Sequence, residues 1–520
     1  MQSFFAGTLT LTAALGLARL LGVVPKVVLP RTVGLDVVGL YQMSYPTLVF
    51  FSAVSRFGMN VAVAKRVAEA KALGRTADIR RILRVALAFA LGVSLPLSAL
   101  LVMIAPTLAE SFYLDTRLVW PLWGIAPAVP LIAVANVFRA YFQGLGDMRP
   151  TAVCAIVETG VRVGAALVLS AALFPYGEAV AATGLTLGIA AGELMGLFAI
   201  VALFYRGDRR TTARARSDRE TPVEDARGTH DVFRDLWRIA YPVGLTGIVG
   251  TLAYALEPSV VAHSFKAAGL TREAASAAYG MLSGLAVFVL YFPTTFTYSL
   301  SVTLIPAVSA YKAQKKTEGV IRRLHQSSRA TALIAFPSAA GVFFFAEPLS
   351  TALFGTPEVA PILKTLAPFA PFLYWQGPLG AALQGLDRVR IGFIHTLVGS
   401  AVKLALIAVL ARRPELGVLG VAWALNASLA LVTSLHALRL HGEIGWSPRP
   451  SDVVPALISA TTAFFASRVF VYVPLSAVVT SGTAFAAAGI IGTAVYAVLL
   501  FVSGGITRRD LLRLWTLKPR

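Results

Sequence analysis

The sequence predicts an all-α polytopic membrane protein of about 14 transmembrane helices. They form two six-helix lobes in a parallel pseudo-two-fold arrangement, plus two extra C-terminal helices. Three observations lead there. The 520 residues are 57% hydrophobic and only 14% charged, whereas a soluble chain carries about a quarter charged residues. Apolar runs close to the ~20 residues that cross hydrocarbon recur along nearly the whole chain. Segments of the first half also return, recognisably, in the second.

The expected spans are 4–29, 41–64, 82–106, 119–141, 150–174 and 179–204 in the first lobe. The second lobe takes 235–261, 275–310, 329–352, 361–386, 391–411 and 417–439, and the extra pair takes 452–474 and 480–503. The eighth is overlong and contains Pro293 and Pro306, so a bend is expected there. The first run lacks a basic leader and a small-residue cleavage site, and reads as a retained helix. The domains are then 1–204, a polar linker at 205–232, 233–440, and 441–520 with its basic tail.

Orientation follows from the loops. The net charge is +20, and the cations gather in alternate connections: "KRVAEAKALGRTADIRRILR" (65–84), "RGDRRTTARARSDRE" (206–220), "YKAQKKTEGVIRRLH" (311–325) and "TRRDLLRLWTLKPR" (507–520). This is the positive-inside pattern, which puts both termini in the cytoplasm. Arg412 and Arg413 are the discordant pair. No soluble domain is available to turn this charge toward nucleic acid. The single cysteine, Cys154, lies in an apolar run, leaving neither a disulfide framework nor a cysteine metal site.

The internal repeat sets the lobes. "APAVPLIAVANVFRAYFQGL" (126–145) is echoed by "APFAPFLYWQGPLGAALQGL" (367–386). Gln143 matches Gln384, Pro130 matches Pro371 and Arg162 meets Lys403, each 241 positions apart. A second echo, "YPTLVFFSAVSRFGMNVAVAK" (45–65) with "FPTTFTYSLSVTLIPAVSAYK" (292–312), pairs Pro46 with Pro293 and Lys65 with Lys312 at 247 positions. An even number of crossings per copy makes the copies parallel, and two such lobes can enclose a cavity and rock.

Charges inside the spans are the candidate site. "ALGLARLLGVVPKVVLPRTVG" (14–34) carries Arg19 and Lys26 a heptad apart, near one helical face. Arg56, Arg162 and Lys403 complete the candidate substrate-binding set, and Glu158, Glu193 and Glu257 are candidates for a coupling ion, Na+ or H+. Charges at this depth cost a few kcal/mol and normally face the protein interior or water. Arg31, Lys364 and Arg139 stand nearer helix ends and read as snorkelling. Glu158 and Arg162 also have the i, i+4 spacing of an intrahelical pair, and Arg468 is a further intramembrane cation. His395 reads as helix-lining, with no second histidine at ligand spacing. A cation surplus suits an anion, phosphate or pyrophosphate above all. The extra helices carry "SGTAFAAAGIIGTA" (481–494), which permits close packing or a lipid-accepting groove. No metal or other cofactor is expected beyond a coupling ion.

"LARLLGVVPKVVLPRTVGLDVVGLYQMSYP" (17–46), "YFQGLGDMRPTA" (141–152) and "LIPAVSAYKA" (304–313) resemble the MOP superfamily of multidrug, oligosaccharidyl-lipid and polysaccharide exporters. The sporulation-protein members are nearest and the murein lipid II flippases more distant. The resemblance implies a transporter and not an enzyme. It would flip an undecaprenyl-pyrophosphate-linked saccharide, a peptidoglycan precursor for spore cortex, across the cytoplasmic membrane by alternating access. Membrane lipids and cell-wall synthesis enzymes are the implied partners. Arg19 stands where the lipid II flippases carry a helix-1 arginine, Lys26 lies close to their second, and Arg56 falls in the helix-2 region of another. Those flippases also place an arginine shortly before a Phe-Pro pair in helix 8; here Phe288 precedes Phe292-Pro293, and Arg162 or Lys403 would supply the missing charge. The alternatives are a multidrug or organic-cation antiporter of the same superfamily, which calls for an acid-dominated cavity, and a membrane-embedded glycosyltransferase, which calls for carboxylates or a metal on a sizeable loop.

Overall fold

The computed structural model describes residues 16–18, 20–215 and 228–505, and every regular element among them is helical. The helices are α1 Val23–Thr32, α2 Gly34–Arg56, α3 Met59–Ala72, α4 Thr76–Thr107, α5 Val119–Ile125, α6 Ala128–Gly144, α7 Arg149–Leu173, α8 Glu178–Ala215, α9 Thr229–Ala267, α10 Arg272–Tyr279 and α11 Val287–Tyr291. After them come α12 Thr294–Ala313, α13 Thr317–Phe344, α14 Ala346–Phe354, α15 Ala360–Leu366, α16 Ala370–Gly385, α17 Val389–Leu410, α18 Val418–Ile444, α19 Pro450–Ser467, α20 Val473–Ser476 and α21 Ser481–Val502.

Among the described residues eleven helices are long and apolar enough to cross a membrane. The pair α13 and α14, bent by 82° at its break, makes a twelfth if the two count as one span. Of the fourteen expected, half of the first (4–29) lies outside the described residues. The tenth (361–386) is divided into α15, a 3-10 turn Ala367–Phe369, and α16. Pro368 and Pro371 each lack an N–H donor there, which interrupts the ladder. The overlong eighth ends α11 at Tyr291, before Pro293, and resumes as α12.

The chain divides into two compact units, residues 1–263 with 270–280, and 264–269 with 281–520. The boundary differs from the linker read from the sequence: most of α9, expected in the second lobe, belongs to the first unit. Val232, Leu236 and Ala240 of α9 are the reason. They are buried in one apolar cluster with Met59, Val63 and Val67 of α3 and Ala86 and Ala90 of α4. Stacking of Trp237 on Phe57, with ring centroids 5.2 Å apart, extends that contact.

In the first unit α7 and α8 lie against each other along much of their length. Gly184, Gly188, Gly192 and Gly196 recur every fourth residue of α8, so they form one stripe without side chains. A Cβ on Gly188 would stand 2.7 Å from Ala166 Cα, and one on Gly192 2.7 Å from Glu158 O and Arg162 Cβ. Close approach of these two backbones is what later brings charged side chains together.

The second unit has two apolar clusters. Leu304 and Val308 of α12 pack with Leu379 and Leu383 of α16 and Leu440 of α18. The extra C-terminal pair joins α13 through Ala332, Ala456, Ala460, Phe464 and Tyr496. Tyr496 donates to Leu333 O at 3.1 Å, and Arg329 Nη2 to Gly505 O at 2.7 Å.

The two units repeat their internal contacts. In the first, a Cβ on Gly144 would meet Ala64 O at 2.6 Å and Val67 Cβ at 2.7 Å. In the second, one on Gly385 would meet Ile305 O at 2.9 Å and Val308 Cβ at 2.8 Å. Lys71 donates to Leu145 O at 2.6 Å and Lys312 to Leu386 O at 2.8 Å. Every one of these pairs is 241 positions apart (385 − 144, 312 − 71). The 247-position register of the sequence reading is therefore corrected: Lys312 corresponds to Lys71, not Lys65. The apolar and proline pattern alone tolerates a slip of six residues, nearly two turns, whereas a glycine under a neighbouring backbone does not.

Candidate functional site: a charged cluster in the first unit

Four charged side chains meet across α6, α7 and α8. Arg139 Nη2 donates to Glu158 Oε2 at 2.5 Å, and Arg162 Nη2 donates to the other oxygen of the same carboxylate. Glu193 Oε1 lies 3.4 Å from Arg162 Nη2, and its Oε2 lies 3.6 Å from Arg139 Nη2. The side chains of Glu158 and Glu193 are 12% and 7% exposed, against 19% for Arg139 and 31% for Arg162. Arg139 also reaches Cys154 Sγ at 3.4 Å, and that thiol donates to Gly196 O at 3.3 Å.

The expectation that Arg139 snorkels is overturned. Its position near the C-terminal end of α6 suggests a helix-end cation, yet two carboxylates from two other helices hold it inside. The i, i+4 pair of Glu158 and Arg162 is present, and it is half of a larger arrangement. Charge-assisted contacts of this kind are about twice as strong as neutral ones, and with two cations and two anions the quartet is formally balanced.

More positive charge surrounds it. Arg56, at the end of α2, donates through Nε to Ser52 O at 3.0 Å and lies within electrostatic reach of Glu193, Arg139 and Tyr45. Tyr41 lies within reach of Arg162 and Tyr45. A small cleft beside Arg56 is lined by Ser55, Asn60, Phe89, Asn136 and Val137. On α1, Lys26 Nζ stands 3.5 Å from Gln42 Oε1 of α2, at the edge of hydrogen-bond range. Two arginines thus contact two glutamates, a third lies within electrostatic reach of the cluster, and a lysine is held on the neighbouring helix pair.

The remaining sequence candidates are distributed differently. Arg19 lies outside the described residues. Glu257 is half-buried on α9 in the first unit, and Lys403 half-buried on α17 in the second. Arg468, in the second unit, is placed over the ring of Tyr472, 4.3 Å from its centroid. His395 has a neighbour that local spacing did not reveal: Nδ1 of the buried His436, on α18, is 3.3 Å from His395 Nδ1 and 2.7 Å from Val432 O. That carbonyl only accepts, so a hydrogen bond there has the His436 Nδ1–H as its donor.

Sequence reasoning missed a second charged centre. Arg117 is clamped by Asp36 at 2.6 Å, Asp115 at 2.8 Å and Glu178 at 3.1 Å, and donates to Ser276 Oγ at 3.2 Å. Ser276 in turn donates to Asp36. Gly39 and Gly280 let α10 approach α2 there, since a Cβ on Gly280 would stand 2.8 Å from Gly39 Cα.

The repeat provides an internal comparison for the quartet. Arg139 and Glu158 correspond to Gly380 and Gly399 at the 241-position offset. Beyond the helix turn the offset becomes 236. Gly184 packs on Leu169 as Gly420 packs on Leu410, and Gly196 packs on Glu158 as Val432 packs on Gly399. Glu193 then corresponds to Leu429. Glycine and leucine occupy the same helix packing in the second unit, so the packing itself does not require the charges. Only Arg162 keeps a cationic counterpart, Lys403.

The model of the polysaccharide biosynthesis protein family matches residues 4–263, and the MatE model matches residues 254–409. Stage V sporulation protein B of Bacillus subtilis (strain 168) is 35% identical over 516 residues, covering 99% of this chain and 98% of that protein. Lipid II flippase MurJ of the same organism is 23% identical, covering 77% of this chain and 76% of that protein. Among the solved structures that share the fold are the following two. One is lipid II flippase MurJ in an inward closed conformation, at 15% identity with a TM-score of 0.72 over 97% of this chain and 99% of that one. The other is an inward-facing multidrug resistance MATE family transporter of the MOP superfamily, at 13% identity with a TM-score of 0.66 over 82% and 94%.

Proposed function

Because the chain belongs to the polysaccharide biosynthesis protein family of the MOP superfamily, we propose that it is a flippase for a lipid-linked saccharide. The substrate we infer is an undecaprenyl-pyrophosphate-linked peptidoglycan precursor, destined for spore cortex, and moved across the cytoplasmic membrane. The observation that carries the reading is the gathering of Arg56, Arg139 and Arg162 within membrane-crossing helices of one unit. Guanidinium groups match phosphate oxygens in geometry as well as charge. The repeat argues the same way, since packing alone leaves the equivalent sites of the second unit to glycine and leucine.

In this reading the diphosphate head group meets Arg162 and Arg56, with Lys26, Arg19 and Lys403 as further cations along its path. The two units alternate between inward and outward access, and the basic loops hold both termini in the cytoplasm. Glu158, Glu193 and Glu257 are the carboxylates available to a coupling Na+ or H+; membrane potential acting on the cations would drive the same movement. The names of the sporulation and lipid II relatives support this substrate class. A drug antiporter would share the fold, but the excess of arginine over glutamate in the cluster suits an anion.

A depletion strain followed with labelled lipid-linked precursor tests the reading. Loss of the protein should trap precursor on the cytoplasmic side, and re-expression should release it, whereas Arg162→Ala should not. Unchanged precursor movement on depletion overturns the assignment.

A further inference from the structure

We propose that Glu158 and Glu193 compete with an incoming phosphate group for Arg162, and that Arg139 is the positioning residue that decides the competition. This rests on the flippase reading and concerns how its head-group site is kept ready.

Glu158 gives one oxygen to each arginine, at 2.5 Å to Arg139 and directly to Arg162. Glu193 is held more loosely, at 3.4 and 3.6 Å, and its buried Oε2 has no hydrogen-bond partner among the described residues. Arg162 Nε is likewise buried without a partner. Arg162 therefore has donor capacity that the carboxylates do not use, and it is the more exposed of the two arginines.

When a phosphate takes Arg162, the two carboxylates lose half of their counter-charge in a low-dielectric setting. An uncompensated buried charge is strongly unfavourable. Arg139 prevents that: it already holds Glu158, and Glu193 Oε2 has only to close from 3.6 Å to make a full hydrogen bond. Arg56, within reach of both Glu193 and Arg139, supports the vacated pair. Without Arg139, Arg162 alone would have to neutralise both glutamates and would remain locked on them. At the equivalent positions of the second unit the cation is kept as Lys403, while Gly380, Gly399 and Leu429 stand in place of Arg139, Glu158 and Glu193.

The test uses the full-length protein in lipid nanodiscs, with farnesyl pyrophosphate as the binding probe and thermal unfolding recorded for each variant. Glu193→Gln should bind the probe about tenfold more tightly than wild type, because one competitor is gone. Arg139→Gln should bind at least tenfold more weakly. The double variant Arg139→Gln/Glu193→Gln should return to within about threefold of wild type, and Arg139→Lys should bind nearly as wild type does. A purely structural role would lower thermal stability in each variant without tightening binding in any, so tightening in Glu193→Gln is the decisive sign. If Glu193→Gln binds no better than wild type, or Arg139→Gln binds equally well, the proposal is overturned. If wild type fails to bind the probe and Arg162→Gln changes nothing, the flippase reading itself falls.

Discussion

Replacing Gly192 by alanine tests whether the helix stripe assembles the charged cluster. The new Cβ would lie 2.7 Å from both Arg162 Cβ and Glu158 O. Ordinary contact begins near 3.4 Å, so α8 has to withdraw from α7 by roughly 0.7 Å or more at this level. Overpacking of this kind costs about 1–3 kcal/mol. The same withdrawal carries Glu193 away from Arg162, where the gap of 3.4 Å has little to spare. The variant should therefore lower both the thermal midpoint of the purified protein and precursor flipping, although no charged residue is altered. Gly164→Ala on α7 is the control: nothing stands within 4 Å of its Cβ, and removing a helical glycine there should be neutral or stabilise by about 0.5–1 kcal/mol. If Gly192→Ala proves as stable and as active as Gly164→Ala, the close approach of α7 and α8 does not build the site.

Two further outcomes follow from contacts outside the quartet. Arg117→Ala removes the clamp on Asp36, Asp115 and Ser276. Breaking a buried pair costs about 3–5 kcal/mol, and with Arg117 21% exposed a loss nearer 2 kcal/mol is expected, read as faster hydrogen exchange in α10. Asp387, fully exposed between α16 and α17, is held below its ordinary value by the hydrogen bond and charge of Lys312 at 2.8 Å. A depressed carboxylate stabilises above its unfolded pKa and loses that contribution as pH falls through the folded one. Lys312→Met should therefore return the Asp387 titration to the usual carboxylate range of about 4, followed by NMR.

Much of the fold was legible in composition because hydrocarbon imposes a length and an apolarity that a sequence cannot hide. Among the described residues, eleven helices meet that constraint directly. What hydropathy could not supply was partnership. Glu158 and Arg162 were readable because one helix carries both at i, i+4. Arg139 was not, since its partners come from two other helices and its own position suggests a helix end. Arg117 and Asp36, or His395 and His436, have no local spacing that would pair them. A usable signal for the cluster was present in "GLTLGIAAGELMG" (184–196), whose glycines recur every fourth residue beside Glu193. The assignment of α9 to the first unit was hidden for a related reason: the charged stretch before it looks like a boundary, while buried Val232, Leu236 and Ala240 bind it back to α3 and α4.

In the flippase reading a phosphorylated lipid head group engages arginines of the first unit. Reconstituted wild-type protein should flip fluorescent undecaprenyl-pyrophosphate-linked saccharide in proteoliposomes. Arg162→Gln should slow that movement at least tenfold, while Lys312→Met, whose cation pairs with an exposed aspartate elsewhere, should leave it unchanged. Equal flipping by wild type and Arg162→Gln would contradict the account.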